Sequence, residues 1–415
     1  MTFFYENKSE MLVNVLEYNR KEVIMSQNVS YITFLKDVAI CSLGAFGGPE
    51  AHFGVFTQHL VVKKKYLSEE EMLELVAITT MLPGPSSTQT IVAIGHKLGG
   101  PLLGLLTLLV WALPIVLFMT MLAVIFAYFD AQNFSLDFVR FVGPMAVGFV
   151  VVAAIRINRK VIKDPLTFFL GCLSAITSYF LRFPWIYPIL LFIGGALSVL
   201  TFERKSVWNK ITMRTPWHYL ILFVVIAVAN IGLSMVTHHP LIVLFEQFYR
   251  FGYLVIGGGQ VVIPLMYHEL VQLSQYVTSQ EFLIGFGFIQ GLPGPMFSFS
   301  AFVGGLAMRE FGTWTQIMGG LVSAIGIFLP GILLIYFVIP IWEQIKHIDM
   351  IKVSLKGVVA VAGGFIITAA FILLQRVGFD AVNIAVVIMT SYLLWFNKVP
   401  APLIVFAVLL LGIIV

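Results

Sequence analysis

The chain has 415 residues, 59% of them hydrophobic and 11% charged, with a formal net charge of +4 and a mean hydropathy of +0.95. A soluble domain carries about 25% charged residues, so composition excludes a soluble globular protein and predicts a polytopic membrane protein. The basic residues fall in short loops between apolar segments, where they set orientation rather than form a nucleic-acid surface.

Residues 1–30 are too polar for a signal peptide, and 9–25 fit an amphipathic helix lying on the membrane surface. Apolar segments then run 31–60, 70–95, 101–129, 138–156, 165–181, 184–201 and 217–236. They are followed by 240–266, 281–303, 313–341, 354–375, 380–396 and 399–415. The first six and last six correspond in order, with 217–236 as an unpaired linker. The expected organisation is a cytoplasmic segment 1–30, a first transport repeat 31–201, a polar loop and linker helix 202–239, and a second repeat 240–415. Cys41 and Cys172 both lie in apolar segments without a ligand spacing, so neither a disulfide framework nor a metal site is expected. No nucleotide motif implies a cofactor.

Two motifs occur twice at one separation. Phe46-Gly47-Gly48-Pro49-Glu50-Ala51-His52 precedes Leu82-Pro83-Gly84-Pro85, and Ile256-Gly257-Gly258-Gly259-Gln260 precedes Leu292-Pro293-Gly294-Pro295. Gly48 to Pro83 and Gly258 to Pro293 are both 35 positions, and Tyr66 and Glu71 fall on Tyr276 and Glu281 at an offset of 210. Duplicated units with glycine and proline inside apolar segments mark transporters built from two repeats with broken helices. The fold class predicted is all-α, with two inverted-topology repeats of broken or re-entrant helices.

Charge places the loops. Arg156, Arg159, Lys160 and Lys163 form one basic loop, Arg204, Lys205, Lys210 and Arg214 a second, and Lys346, Lys352 and Lys356 a third. A cytoplasmic N-terminus puts all three inside. Lys63-Lys64-Lys65 join the first two segments, whereas 266–280 has no Lys or Arg. Re-entrant hairpins at 31–60 and 70–95 put those lysines inside too; full spans remain the alternative. Arms 72–82 and 85–96 would each reach roughly 17 Å, about half of a 30 Å core.

The breaks carry the chemistry. Proline removes an N–H and glycine permits positive φ, so Leu82-Pro83-Gly84-Pro85 ends one half-helix and starts another, with Pro85 expected at its first position. The free amides of Ser86, Ser87 and Thr88, their hydroxyls, the Gln89 amide and the helix dipole then form an anion site. Pro295 starts the second copy with Met296, Phe297 and Ser298, a greasier version. Pro49 starts a helix carrying Glu50 and His52 in its first turn. An ionisable pair at membrane depth is a functional expectation, here the coupling of transport to protons. The blander readings are a structural cap for Glu50 and an interfacial histidine for His52. His96 and Lys97 are expected in an exit loop, Arg309–Glu310 as an ion pair, and Arg140 and Lys356 as snorkelling cations.

The quoted motifs resemble the chromate ion transporter family, the second set matching the second domain of its two-domain members over roughly 30–415. The resemblance implies a multi-pass protein of the bacterial inner membrane that expels chromate, driven by the proton motive force. It carries functional expectation onto Gly47, Gly48, Pro49, Glu50, His52, Pro83, Gly84 and Pro85. With Ser86, Ser87, Thr88, Gln89, Gly258, Gln260, Pro293, Gly294, Pro295 and Ser298 these make the expected substrate and proton sites. The partners expected are a chromate- or sulfate-like oxyanion, protons, the lipid bilayer and a second copy of the chain. A sulfate carrier of the same build and a passive anion channel are the alternatives.

Overall fold

A computed structural model describes residues 30–132, 137–181, 185–202, 215–254, 262–342, 348–396 and 399–414. The surface helix expected at 9–25, the basic loop 204–214, Lys346 and the glycine motif 256–260 lie outside the described residues.

The protein is an all-α polytopic membrane protein, with no strand among the described residues. Its first half runs α1 (Tyr31–Gly44), α2 (Pro49–Phe56), α3 (Glu69–Met81), α4 (Ser86–Ala131), α5 (Val142–Val161), α6 (Pro165–Phe180) and α7 (Ile186–Leu200). Then come α8 (Trp217–Thr237), α9 (Pro240–Leu254), α10 (Val262–Met266), α11 (Ser279–Gln290) and α12 (Phe299–Ala307). The chain ends with α13 (Thr313–Val338), α14 (Asp349–Val377), α15 (Ala381–Trp395) and α16 (Ala401–Ile414). Five of the helical stretches are long and apolar enough to cross a membrane. By contrast α1 and α3 have 14 and 13 residues, about 20 Å each and short of a 30 Å core.

The offset of 210 seen in the motifs recurs in local structure. Wide π-turns occupy Thr57–Lys63 after α2 and Tyr267–Leu273 after α10. Each is followed by a residue of positive φ, Lys65 and Gln275. Each leads into a capping box, Ser68 with Glu71 and Thr278 with Glu281, which satisfies the first N–H groups of α3 and α11. Gly84 and Gly294 have φ of +123° and +106°, so the two Pro-Gly-Pro breaks use the same left-handed corner that only glycine adopts cheaply.

The sequence repeats do not fold as separate bodies. In one bundle α13 of the second half packs on α4 of the first, with α1, α9 and α12 around them and α8 against α9 and α13. No residue of α8 is buried, so this linker helix faces lipid. In the other bundle α14 packs on α6, α7 and α5, while α15 packs back on α5. Each half therefore lends its terminal helices to the other. Small residues permit the close approach, as is usual where lipid removes the hydrophobic drive between helices. Ser174 Oγ donates to the Val361 carbonyl at 2.9 Å, Thr368 Oγ1 to Ala175 at 2.8 Å, and Asn158 Nδ2 to Gly363 at 2.9 Å.

Several loop charges sit differently from expectation. His96 and Lys97 are helical, in the last turn before Gly99–Gly100, where the backbone leaves the helix and a second helical stretch of α4 begins; Lys97 pairs with Glu71 at 2.5 Å and the His96 ring lies tilted against Tyr336. Arg309 pairs with Glu281, not with its neighbour Glu310. Adjacent side chains on a tight turn diverge, whereas the capping glutamate of α11 points at the turn. Lys356 pairs with Asp164 at 2.5 Å, and it holds that carboxyl below the usual carboxylate range. Arg140 lies over the Phe141 ring, 4.4 Å from its centroid.

A Cβ on Gly194 would stand 2.9 Å from the Gly357 carbonyl oxygen, whereas one on Gly232 would meet open space. Gly194→Val is expected to part α7 from α14 and cost about 1–3 kcal/mol. A thermal melt in detergent should show a lowered midpoint for it and an unchanged one for Gly232→Ala.

Candidate functional site

The interrupted helices converge. Gly48 caps α2 with φ +91° and Pro49 occupies the first helical position, as its fixed φ favours. At the second break Pro85 is the cap and Ser86 the first residue of α4, one position later than the sequence suggests. Pro85 is extended at ψ 93°, a geometry that closes the Pro-Gly-Pro corner before the helix starts. The first helical bond runs from Gln89 N–H to the Pro85 carbonyl at 2.9 Å, so the amides of Ser86, Ser87 and Thr88 precede it. In the second half Pro295 caps a 3₁₀ turn, Met296–Ser298, that runs into α12.

Residues Ser86 to Thr90 are all buried, and so are Met296 to Ser300. The hydroxyls of the first set are tied down in sequence. His52 Nδ1 and Ser87 Oγ share a hydrogen bond of 3.0 Å. Trp111 Nε1 donates to Thr88 Oγ1 at 3.1 Å, and its ring meets those of His52 and Phe56 edge-on, with centroids 5.3 and 5.1 Å apart. Gln89 Nε2 donates to the Pro83 carbonyl at 2.8 Å and to Gly331 of α13 at 3.0 Å. The tips of the two halves also touch directly: Gly294 N–H donates to the Ala45 carbonyl at 2.9 Å. Ser42 Oγ, next to this contact, donates to the Trp111 carbonyl at 3.0 Å.

Polar capacity is left over behind both breaks. Among the described residues, His52 Nε2 and Gln89 Oε1 in the first half, and Ser298 Oγ and Ser300 Oγ in the second, are buried without a hydrogen-bond partner. Buried polar atoms are normally satisfied, and each exception calls for a reason. A site built for a polar ligand or its water supplies one.

The structure brings His52, Pro83, Gly84, Pro85, Ser86, Ser87, Thr88 and Gln89 together and sets Pro293, Gly294, Pro295 and Ser298 beside them. Gly47, Gly48 and Pro49 form the neighbouring corner. Gly258 and Gln260 lie outside the described residues. Glu50 does not join His52. Its side chain is 68% exposed and pairs with Lys160 at the end of α5, while His52 is 1% exposed. Two positions apart on a helix are about 200° apart around its axis, so one faces the core and the other the crevice. Composition gave no signal for Trp111, Ser42 or Gly331. Asp37, buried inside an apolar segment and bonded to His59 and Tyr66, had one: an acid at membrane depth.

Comparison with known proteins follows this geometry. The chromate transporter family profile matches residues 32–200 and 242–413, covering both repeats. A probable chromate transport protein of Synechococcus elongatus is 26% identical over 380 residues, 90% of this chain and 93% of its own. The chromate transport protein of Cupriavidus metallidurans is 23% identical over 380 residues, 89% of each. An uncharacterized transporter of Methanocaldococcus jannaschii is 24% identical over 391 residues, 92% of each. No solved structure matches.

Gln89→Leu removes both donors to Pro83 and Gly331, and is expected to cost about 2–3 kcal/mol through the buried carbonyls it leaves unpaired. Gly84→Ala adds a Cβ 2.9 Å from Gln89 Nε2 at a φ of +123°. Both variants should melt below the wild type in detergent, and a wild-type midpoint for either would show that the corner tolerates loosening.

Proposed function

The chain belongs to the chromate transporter family, and from that premise we propose that it is a secondary active transporter that exports chromate across a bacterial inner membrane in exchange with protons. The observation that carries the proposal is the junction of broken helices, where helix-start amides, the Ser86, Ser87 and Thr88 hydroxyls and unsatisfied buried polar atoms gather. A tetrahedral dianion asks for N–H and O–H donors in a water-poor setting, and the positive end of a helix dipole supplies the field.

The substrate-binding groups in this proposal are the amides and hydroxyls of Ser86, Ser87 and Thr88, with Gln89 and, from the second half, Ser298. Gly47, Gly48, Pro49, Pro83, Gly84, Pro85, Pro293, Gly294 and Pro295 shape the corners that aim them, and the sequence repeat adds Gly258 and Gln260 to the set. Because Ser87 Oγ bonds to His52, the protonation of His52 and the occupancy of the site are chemically linked. A protonated imidazole donates at both nitrogens and favours an anion; a neutral one does not. Glu50 sits at the α2 start opposite Lys160 across the two bundles. An exposed pair of this kind adds little stability, so its value lies in opening and closing as one bundle rocks against the other.

The hydroxyl and amide donors would receive sulfate as readily as chromate, which keeps a general oxyanion carrier as the second reading. The basic loops support a cytoplasmic N-terminus, with the halves in opposite orientation.

Uptake of labelled chromate and sulfate into inverted vesicles, with and without a proton gradient, tests the reading. Gradient-driven chromate accumulation that sulfate barely inhibits is expected; equal handling of both would establish the general carrier, and gradient-independent leakage a channel. Ser87→Ala with Thr88→Val should cut uptake about tenfold, equivalent to about 1.4 kcal/mol of lost binding, and wild-type uptake would remove these hydroxyls from the site. Glu50→Gln should slow proton-driven uptake in a folded protein, an outcome that a wild-type rate would exclude.

A further inference from the structure

The first hairpin, α1 with α2 and its π-turn, is pinned at its base by an ionisable cluster around one buried carboxylate. Asp37 of α1 is 2% exposed. One of its carboxylate oxygens accepts from His59 Nε2 at 2.9 Å and from Lys64 Nζ at 3.0 Å. The other accepts from the Tyr66 hydroxyl at 2.5 Å. A carboxylate can only accept, so His59 must carry its proton on Nε2, and Nδ1 is the atom left to take up another. The resulting imidazolium would lie against the Asp37 carboxylate.

Two further features single out this cluster. His59 lies in a π-turn, an irregularity that occurs mostly at functional sites. The second half rebuilds the same clamp with groups that do not titrate in the same way. Subtracting 210, Gln247 falls on Asp37, Glu269 on His59 and Ser274 on Lys64. Gln247 Nε2 donates to Ser274 Oγ at 3.3 Å, and Glu269 is held by Arg250 at 2.5 Å, which also holds Glu246 at 2.8 Å. An arginine keeps its proton in proteins, so the cation of this second clamp does not exchange one. The one histidine on the second π-turn, His268, bonds to Gln272 instead, at 2.8 Å.

We propose that the Asp37–His59 pair is the proton-exchange site of the transporter, loading and releasing a proton at His59 Nδ1 on the face that bears Lys63, Lys64 and Lys65. The proposal rests on the proton-coupled reading above and deepens it. His52, bonded to the anion-site hydroxyl of Ser87, lies on the same continuous helical rod seven positions earlier, about 10 Å away along the axis. The anion end and the aqueous end of one rod thus each carry a histidine. The charged and titratable groups that meet this pair are Lys64 and Tyr66, both on Asp37, and the buried Cys41 thiol one turn further along α1, which feels the Asp37 charge; the carboxylates of the first turn of α3 are Glu69, Glu70 and Glu71. Glu71 is committed to Lys97. Lys64 is the cation that shares the Asp37 oxygen with His59, so it opposes the second proton.

The test uses the full chain in proteoliposomes, with labelled chromate counted and proton movement read by an internal pH dye across a range of external pH. His59→Gln should lower proton-driven chromate flux about tenfold or more and abolish the accompanying proton movement. Lys64→Gln keeps the pair and removes the competing charge on a partly exposed side chain. It should move the midpoint of the flux–pH profile upward by about half a unit or more. Either variant matching the wild type in both profile and proton-to-anion ratio would overturn the proposal. A wild type that carries chromate without protons would sink the coupling reading instead, and one that carries no anion would sink the transporter assignment.

Discussion

A helix broken inside a bilayer exposes carbonyl and amide groups that no water can reach, and the architecture turns on how these groups find partners. The Ala45 carbonyl, in the gap between α1 and α2, takes its donor from Gly294 in the opposite repeat. The Pro83 carbonyl takes its donor from Gln89, whose amide also reaches Gly331 of α13. One break is thus satisfied from the opposite repeat, and the other by a side chain of its own half that also reaches the second half. The tips cannot move independently without stranding backbone polar atoms, and the amides of Ser86 to Thr88, proposed as the anion site, inherit that rigidity.

The two tips meet as unequal partners. The first offers hydroxyls bonded to a histidine, an indole and a threonine neighbour. The second offers Met296 and Phe297 with two unbonded serines behind them. Met296 and Phe297 face Val262, Ile263 and Met266 of their own half, with Phe297 against Phe328, so the second tip lacks the histidine partner that Ser87 has in the first.

Much of this was legible beforehand because the signal was repetition. The 35-residue spacing located the Gly-Gly-Pro break of the first half and the Pro-Gly-Pro breaks of both, the glycine motif 256–260 lying outside the described residues, and the residues after each Pro-Gly-Pro proved to be buried in both halves. The Pro85 register missed by one because proline suits both the cap and the first helical turn. The separation of Glu50 from His52 depends on which helix face meets the bundle, and two apolar neighbours look alike in sequence. The Asp37 cluster depends on a π-turn that changes which residues face α1, and no local pattern announces such a turn. The exchange of terminal helices was invisible for a different reason: Val-, Ile- and Gly-rich helices record that they pack closely but not upon what.

That exchange governs how the protein can be made. When the first half leaves the ribosome, α6 and α7 have no α14 to rest on, and α5 lacks α15. Its glycine and serine faces must wait in the lipid for helices synthesised some two hundred residues later, a long-range closure that is intrinsically slow. The first half is therefore an assembly intermediate and not a finished module, and a chain cut in the linker before α8 would need its other half supplied in the same membrane before either could close its bundles.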